Sequence, residues 1–95
     1  MPPAIHPGEI LAEELEYLDM SAAELGRVLG VPTNRITQIL NGDRRVTADT
    51  ALRLARWLGT SAKVWIDLQS DYDLRIAELE NGEAIRRVVV PRDAA

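Results

Sequence analysis

The sequence predicts an all-α domain of five helices, and three observations carry that prediction. Apolar residues recur every three or four positions along most of the chain, the spacing of one buried helix face. Four of these runs stop at a glycine, namely Gly30, Gly42, Gly59 and the Asn81-Gly82 pair. Only 84–90 looks like a strand, β-branched at its end and bounded by Pro91, and one strand cannot make a sheet alone. At 95 residues the chain holds one core rather than two, so 1–95 reads as a single domain and a multidomain enzyme is excluded.

The first helix covers Glu9 to Leu18, with Ile10, Leu11, Leu15 and Leu18 at helical spacing and Glu9, Glu13 and Glu16 elsewhere. Acids in its first turn suit the positive end of the helix dipole. Ser21-Ala22-Ala23-Glu24 has the spacing of a capping box, in which hydroxyl and carboxylate each satisfy an otherwise orphaned amide; the second helix starts there and stops at Gly30. Val31 and Pro32 lead into a third helix, roughly 32–41, with Ile36, Ile39 and Leu40 on one face. Thr47 can cap a fourth, which carries Ala51, Leu52, Leu54, Ala55 and Leu58 to Gly59. Ser61 opens a long fifth helix, about 61–80, along Trp65, Leu68, Tyr72, Ile76 and Leu79, with Asn81-Gly82 as its stop. The remainder, 83–95, is a short strand paired with another chain, or an extended tail.

Composition narrows the chemistry. There is no Cys, hence no disulfide, thiolate nucleophile or Cys-ligated zinc. His6 is the lone histidine and supports neither a metal site nor a triad; it reads as a residue at a helix start. The glycines are isolated, so no nucleotide phosphate loop is present, and no cofactor or metal is expected. No apolar run exceeds three residues, so no membrane span is expected and the cytoplasm is the expected location. The net charge of −4 argues against nucleic acid, but the average conceals a division. Residues 1–25 carry −6, residues 26–63 carry +5 and residues 64–95 carry −3. A basic middle between acidic ends points to a nucleic-acid face attached to something else.

That middle contains a helix-turn-helix pattern over about 21–42. Two helices crossing closely at a steep angle need small residues at the crossing and a glycine in the turn, which Gly26 and Gly30 supply. Gly26 costs about 1 kcal/mol relative to Ala inside a helix, a loss that close packing would offset. With Ile36, Ile39 and Leu40 turned inward, the other face of the third helix presents Asn34, Thr37, Gln38 and Asn41, flanked by Thr33 and Arg35. No acid occurs from Leu25 to Gly42. Asn and Gln pair bidentately with adenine, Arg with guanine, and Thr meets a thymine methyl, so Thr33, Asn34, Arg35, Thr37 and Gln38 are the candidate base readers. Ser21, Asn41, Arg44 and Arg45 are placed to hold the sugar-phosphate backbone of double-stranded DNA. A plain solvated helix face is the competing reading. The capping box, Gly26, the Gly30 turn, the missing acids and the Arg pair together favour DNA.

His6-Pro7-Gly8-Glu9-Ile10-Leu11, Val31-Pro32-x-Asn34-Arg35-Ile36, Thr47-x-Asp49-Thr50-Ala51-Leu52-Arg53-Leu54-Ala55 and Trp65-x-x-Leu68-Gln69-x-x-Tyr72-Asp73-Leu74 occur in that order. Together, over about residues 5–76, they resemble the HigA family of antitoxins, within the wider Cro/repressor-like (XRE) helix-turn-helix group. The resemblance implies a lambda-repressor-like fold and a dimer that represses its own type II toxin-antitoxin operon. It also implies neutralisation of HigB, a RelE-like mRNA-cleaving toxin. Two departures stand out: Pro32 replaces the usual Ser, Thr or Asp cap, and Asp43 interrupts a loop that is often basic.

Two further surfaces follow. Glu9, Glu13 and Glu16, with Glu14 beside them, are either a solubilising face or, given the resemblance, a toxin-binding face for a basic RNA-cleaving partner. Trp65, Leu68, Tyr72, Ile76 and Leu79 are packing positions whose surplus would form a homodimer interface, placing two recognition helices about 34 Å apart on DNA. A stand-alone regulator without a toxin would use the same recognition face. An enzyme built on paired carboxylates is disfavoured, because the acids fall on exposed helix faces.

Overall fold

The computed structural model describes residues 3–93 and consists, over those residues, of five helices: α1 (Pro7–Leu18), α2 (Ala22–Leu29), α3 (Thr33–Leu40), α4 (Ala48–Leu58) and α5 (Ala62–Val88). Their first turns follow from capping chemistry. Ser21 Oγ accepts the Glu24 amide while the Glu24 carboxylate accepts the Ser21 amide, completing the expected box. Thr47 caps α4 and Ser61 caps α5. α1 starts two residues before the hydrophobic periodicity does, because His6 acts as a cap: its Nδ1 accepts from Gly8, and Glu9 reaches back to the His6 amide. Pro7 then takes the first helical position, where a missing N–H costs nothing.

Leu11, Leu15, Leu25, Leu29, Ile36, Ile39, Val46, Ala51, Leu54 and Trp65 form one core. α3 lies across α2 and α1, and α4 packs on the first part of α5. Two glycines make the close crossings possible. A Cβ on Gly26 would lie 2.9 Å from the Val31 carbonyl oxygen, which accounts for a glycine inside α2. A Cβ on Gly8 would lie 1.8 Å from the carbonyl oxygen of Ile39, so α1 touches the last turn of α3 backbone to backbone.

Two expectations about the C-terminal part are corrected. The described residues contain no strand, and α5 runs through Asn81-Gly82 to Val88 instead of stopping near Glu80. Helix formers surround Gly82, the Glu78 carboxylate lies across it to pair with Arg86, and Glu83 pairs with Arg87 one turn on. A glycine ends a helix when the chain can turn back onto a core, and here no core adjoins it. At 27 residues α5 is about 40 Å long. The radius of gyration, 16.6 Å, exceeds the about 12–13 Å of a compact chain this size because the outer half of α5 projects away. A further correction concerns Trp65, which is 5% exposed in the chain's own core and so is not free to face a second copy.

Candidate nucleic-acid interface

Ile36 and Ile39 are wholly buried, and this fixes the rotation of α3. Thr33, Asn34, Thr37 and Asn41 are consequently exposed and Gln38 is half-buried. Thr37 Oγ1 donates to the Thr33 carbonyl, so its donor is engaged within the helix. Pro32, the N-cap of α3, makes no side-chain capping hydrogen bond. Asn41 is the C-cap, followed by Gly42 at φ 77°, a left-handed turn that releases the chain toward Arg44 and Arg45. Ser21 stands at the start of α2, where its box holds the Glu24 carboxyl below the usual carboxylate range, through the Ser21 backbone N–H first and the hydroxyl second.

The arginines have partners that patterning did not disclose. Arg35 pairs with Asp49 of α4 at 3.0 Å, and Asp49 also accepts from Arg53 Nε at 2.8 Å. Those two contacts, Arg53 before Arg35, hold the Asp49 carboxyl below its ordinary range. Arg53 Nη1 in turn donates to the Leu29 carbonyl, an orphaned acceptor at the end of α2. Asp49 and Arg53 thus fasten both helices of the reading unit to α4. Arg45 pairs with Asp73 of α5 at 2.7 Å. The same Asp73 accepts from Gln69 Nε2, and Gln69 Oε1 accepts the Val46 amide; Gln69 is 2% exposed. Arg44 makes no ion pair among the described residues. No sequence period signals the Arg35–Asp49, Val46–Gln69, Leu29–Arg53 and Arg45–Asp73 contacts, which join residues 14 to 28 positions apart, whereas Asp49–Arg53 and Gln69–Asp73 lie one helical turn apart.

A helix-turn-helix family model matches residues 11–65. The chain is 51% identical to virulence-associated protein I of Dichelobacter nodosus, over 80% of this chain and 71% of that protein. Its structure superposes with a TM-score of 0.93 on an addiction module antidote protein of a HigA family from Coxiella burnetii, at 54% identity over 95% of this chain and 99% of that one. The chain belongs to the HigA family of helix-turn-helix antitoxins. A second HigA, from Pseudomonas aeruginosa and solved with higBA promoter DNA, is 42% identical over 95% of this chain and 99% of that one, with a TM-score of 0.92.

The remaining expected sites in this HigA-family chain divide by exposure. Glu13 and Glu16 are exposed on α1 near Tyr17, which is 85% exposed, whereas Glu9 is engaged in the His6 cap. On α5, Leu68, Tyr72 and Ile76 are partly buried, Tyr72 meeting the His6 ring edge-on at 4.9 Å, and Leu79 is 63% exposed. Among the described residues no helix is long and apolar enough to cross a membrane.

Proposed function

We propose that this antitoxin binds operator DNA in the cytoplasm as a homodimer, represses its own operon and neutralises an RNA-cleaving HigB-like toxin, acting by binding alone. The carrying observation is α3: Ile36 and Ile39 are sealed in the core while Thr33, Asn34, Thr37 and Asn41 face solvent and Gln38 is half-buried beside them, with no acid among them. Thr33, Asn34, Arg35, Thr37 and Gln38 read bases, while Ser21, Asn41, Arg44 and Arg45 hold the backbone. The promoter DNA present with the Pseudomonas aeruginosa HigA supports this reading. Leu79, with Leu68, Tyr72 and Ile76 beneath it, is the α5 surface for the second copy, and the twofold makes the operator palindromic.

Glu13 and Glu16 are the toxin-facing acids, since both are exposed and neither forms an ion pair among the described residues. Reversing both to Lys is expected to weaken toxin capture at least tenfold while operator affinity stays the same. Co-expression with the neighbouring reading frame, followed by co-purification and a binding titration, measures this. Equal capture by the variant would return the acidic face to a solubilising role. A neighbouring product that never co-purifies would favour the stand-alone regulator.

A further inference from the structure

Four arginines from three segments converge on one cleft. Arg35 of α3, Arg44 and Arg45 of the following loop and Arg53 of α4 line a cavity of about 350 Å³ with Thr47, Asp49 and Thr50. Such a ring attracts an anion, yet most of it is already answered from within: Asp49 holds Arg35 and Arg53, and Asp73 holds Arg45 from outside the cavity wall. The two carboxylates differ in what they support. Asp49 fastens α3 to α4 and holds the Arg53 that reaches the end of α2, so losing it would loosen the reading unit. Asp73 keeps its bond to Gln69 through Oδ1 whether or not Oδ2 holds Arg45. The Arg45–Asp73 pair is also open to solvent, with side chains 59% and 37% exposed, so it is weak enough to exchange.

We propose that this cleft seats a backbone phosphate of the duplex, and that Asp73 is the internal anion which the phosphate displaces from Arg45. The inference rests on the DNA reading above and adds a residue of α5 to it. Asp73 lowers affinity for any duplex, because each binding event must first free Arg45. Arg44, unpaired, meets the phosphate directly; Arg45 follows once released. A phosphodiester rather than a free anion is the occupant, because Arg35, which lines the cleft, lies on α3 among the residues assigned to read bases, so the cleft adjoins the duplex.

The experiment is a double-mutant cycle on the full chain, with a duplex from upstream of its own gene and a random duplex of equal length as probes. Asp73→Asn keeps the acceptor for Gln69 and removes the charge. It is expected to tighten binding to both duplexes about threefold to fivefold at low salt. In an Arg45→Ala background the same substitution is expected to change nothing. No gain from Asp73→Asn, or an equal gain with Arg45 absent, overturns the proposal, the latter because it reports only the removal of a nearby negative charge. Should Asp73→Asn fail to fold, the carboxyl carbon-13 signal of Asp73 in the wild-type chain decides: a shift on adding duplex is expected, and an unmoved signal overturns the exchange. A wild-type chain that binds neither duplex overturns the DNA reading itself, whereas normal binding without coupling overturns only the role of Asp73.

Discussion

Gly8→Ala is expected to lower stability by about 3 kcal/mol and the unfolding midpoint by about 12–20 °C in a thermal melt. The added methyl would stand 1.8 Å from the Ile39 carbonyl oxygen and 2.8 Å from its carbon. Both are backbone atoms in the last turn of α3, so no side-chain rotation relieves the overlap and α1 must move off α3. That movement uncovers Leu11 and Leu15, which α1 contributes to the core. Gly82→Ala is the internal comparison. The atoms nearest its methyl would be those of the Glu78 carboxylate, the end of a flexible side chain whose exposed pair with Arg86 can shift, so the gain in helix propensity of up to about 1 kcal/mol is expected to prevail. Opposite signs for the same substitution test whether backbone contact, rather than glycine as such, is the determinant; an unchanged midpoint for Gly8→Ala would show that α1 can separate from α3 freely.

Replacing Asn34 and Gln38 together by Ala is expected to weaken operator binding by about 2–4 kcal/mol, roughly 30-fold to 1,000-fold, with affinity for a random duplex unaltered. Neither side chain has a hydrogen-bond partner among the described residues, so stability should stay within about 0.5 kcal/mol of the parent. Arg44→Ala should behave differently. It weakens binding to all duplexes and flattens the logarithmic salt dependence by about 0.9, the signature of one lost phosphate contact. Anisotropy titrations on both duplexes at several salt concentrations separate the two outcomes. Retained operator preference in the double variant would mean that α3 reads the shape of the duplex rather than its bases.

The order of the helices and the facing of α3 were legible in the sequence because they depend on local rules. Ser21 and Glu24, Thr47 and Gly59 act within a few residues of themselves, and the buried faces follow a 3.6-residue period. The same rules misled at Asn81-Gly82, where a stop signal met a helix with no core beside it to turn toward. They placed His6 at a helix start but did not disclose that its ring nitrogen caps α1, since histidine is not among the usual capping residues. Trp65 was ambiguous for a different reason: spacing along α5 identifies an apolar stripe but not which turn of it meets α4 and which reaches beyond the body.

By itself, then, the sequence determined five helices, a paired unit with small residues at its crossing, and an outward amide face free of acids, because each is written in spacings shorter than two helical turns. Only the tertiary structure decided that Gly8 abuts the Ile39 backbone, that Asp49 binds Arg35 to Arg53, and that Asp73 answers Arg45 across 28 residues. The physical reason is that charge and close contact act through space, and which side chains come within 3–4 Å is settled when the helices pack.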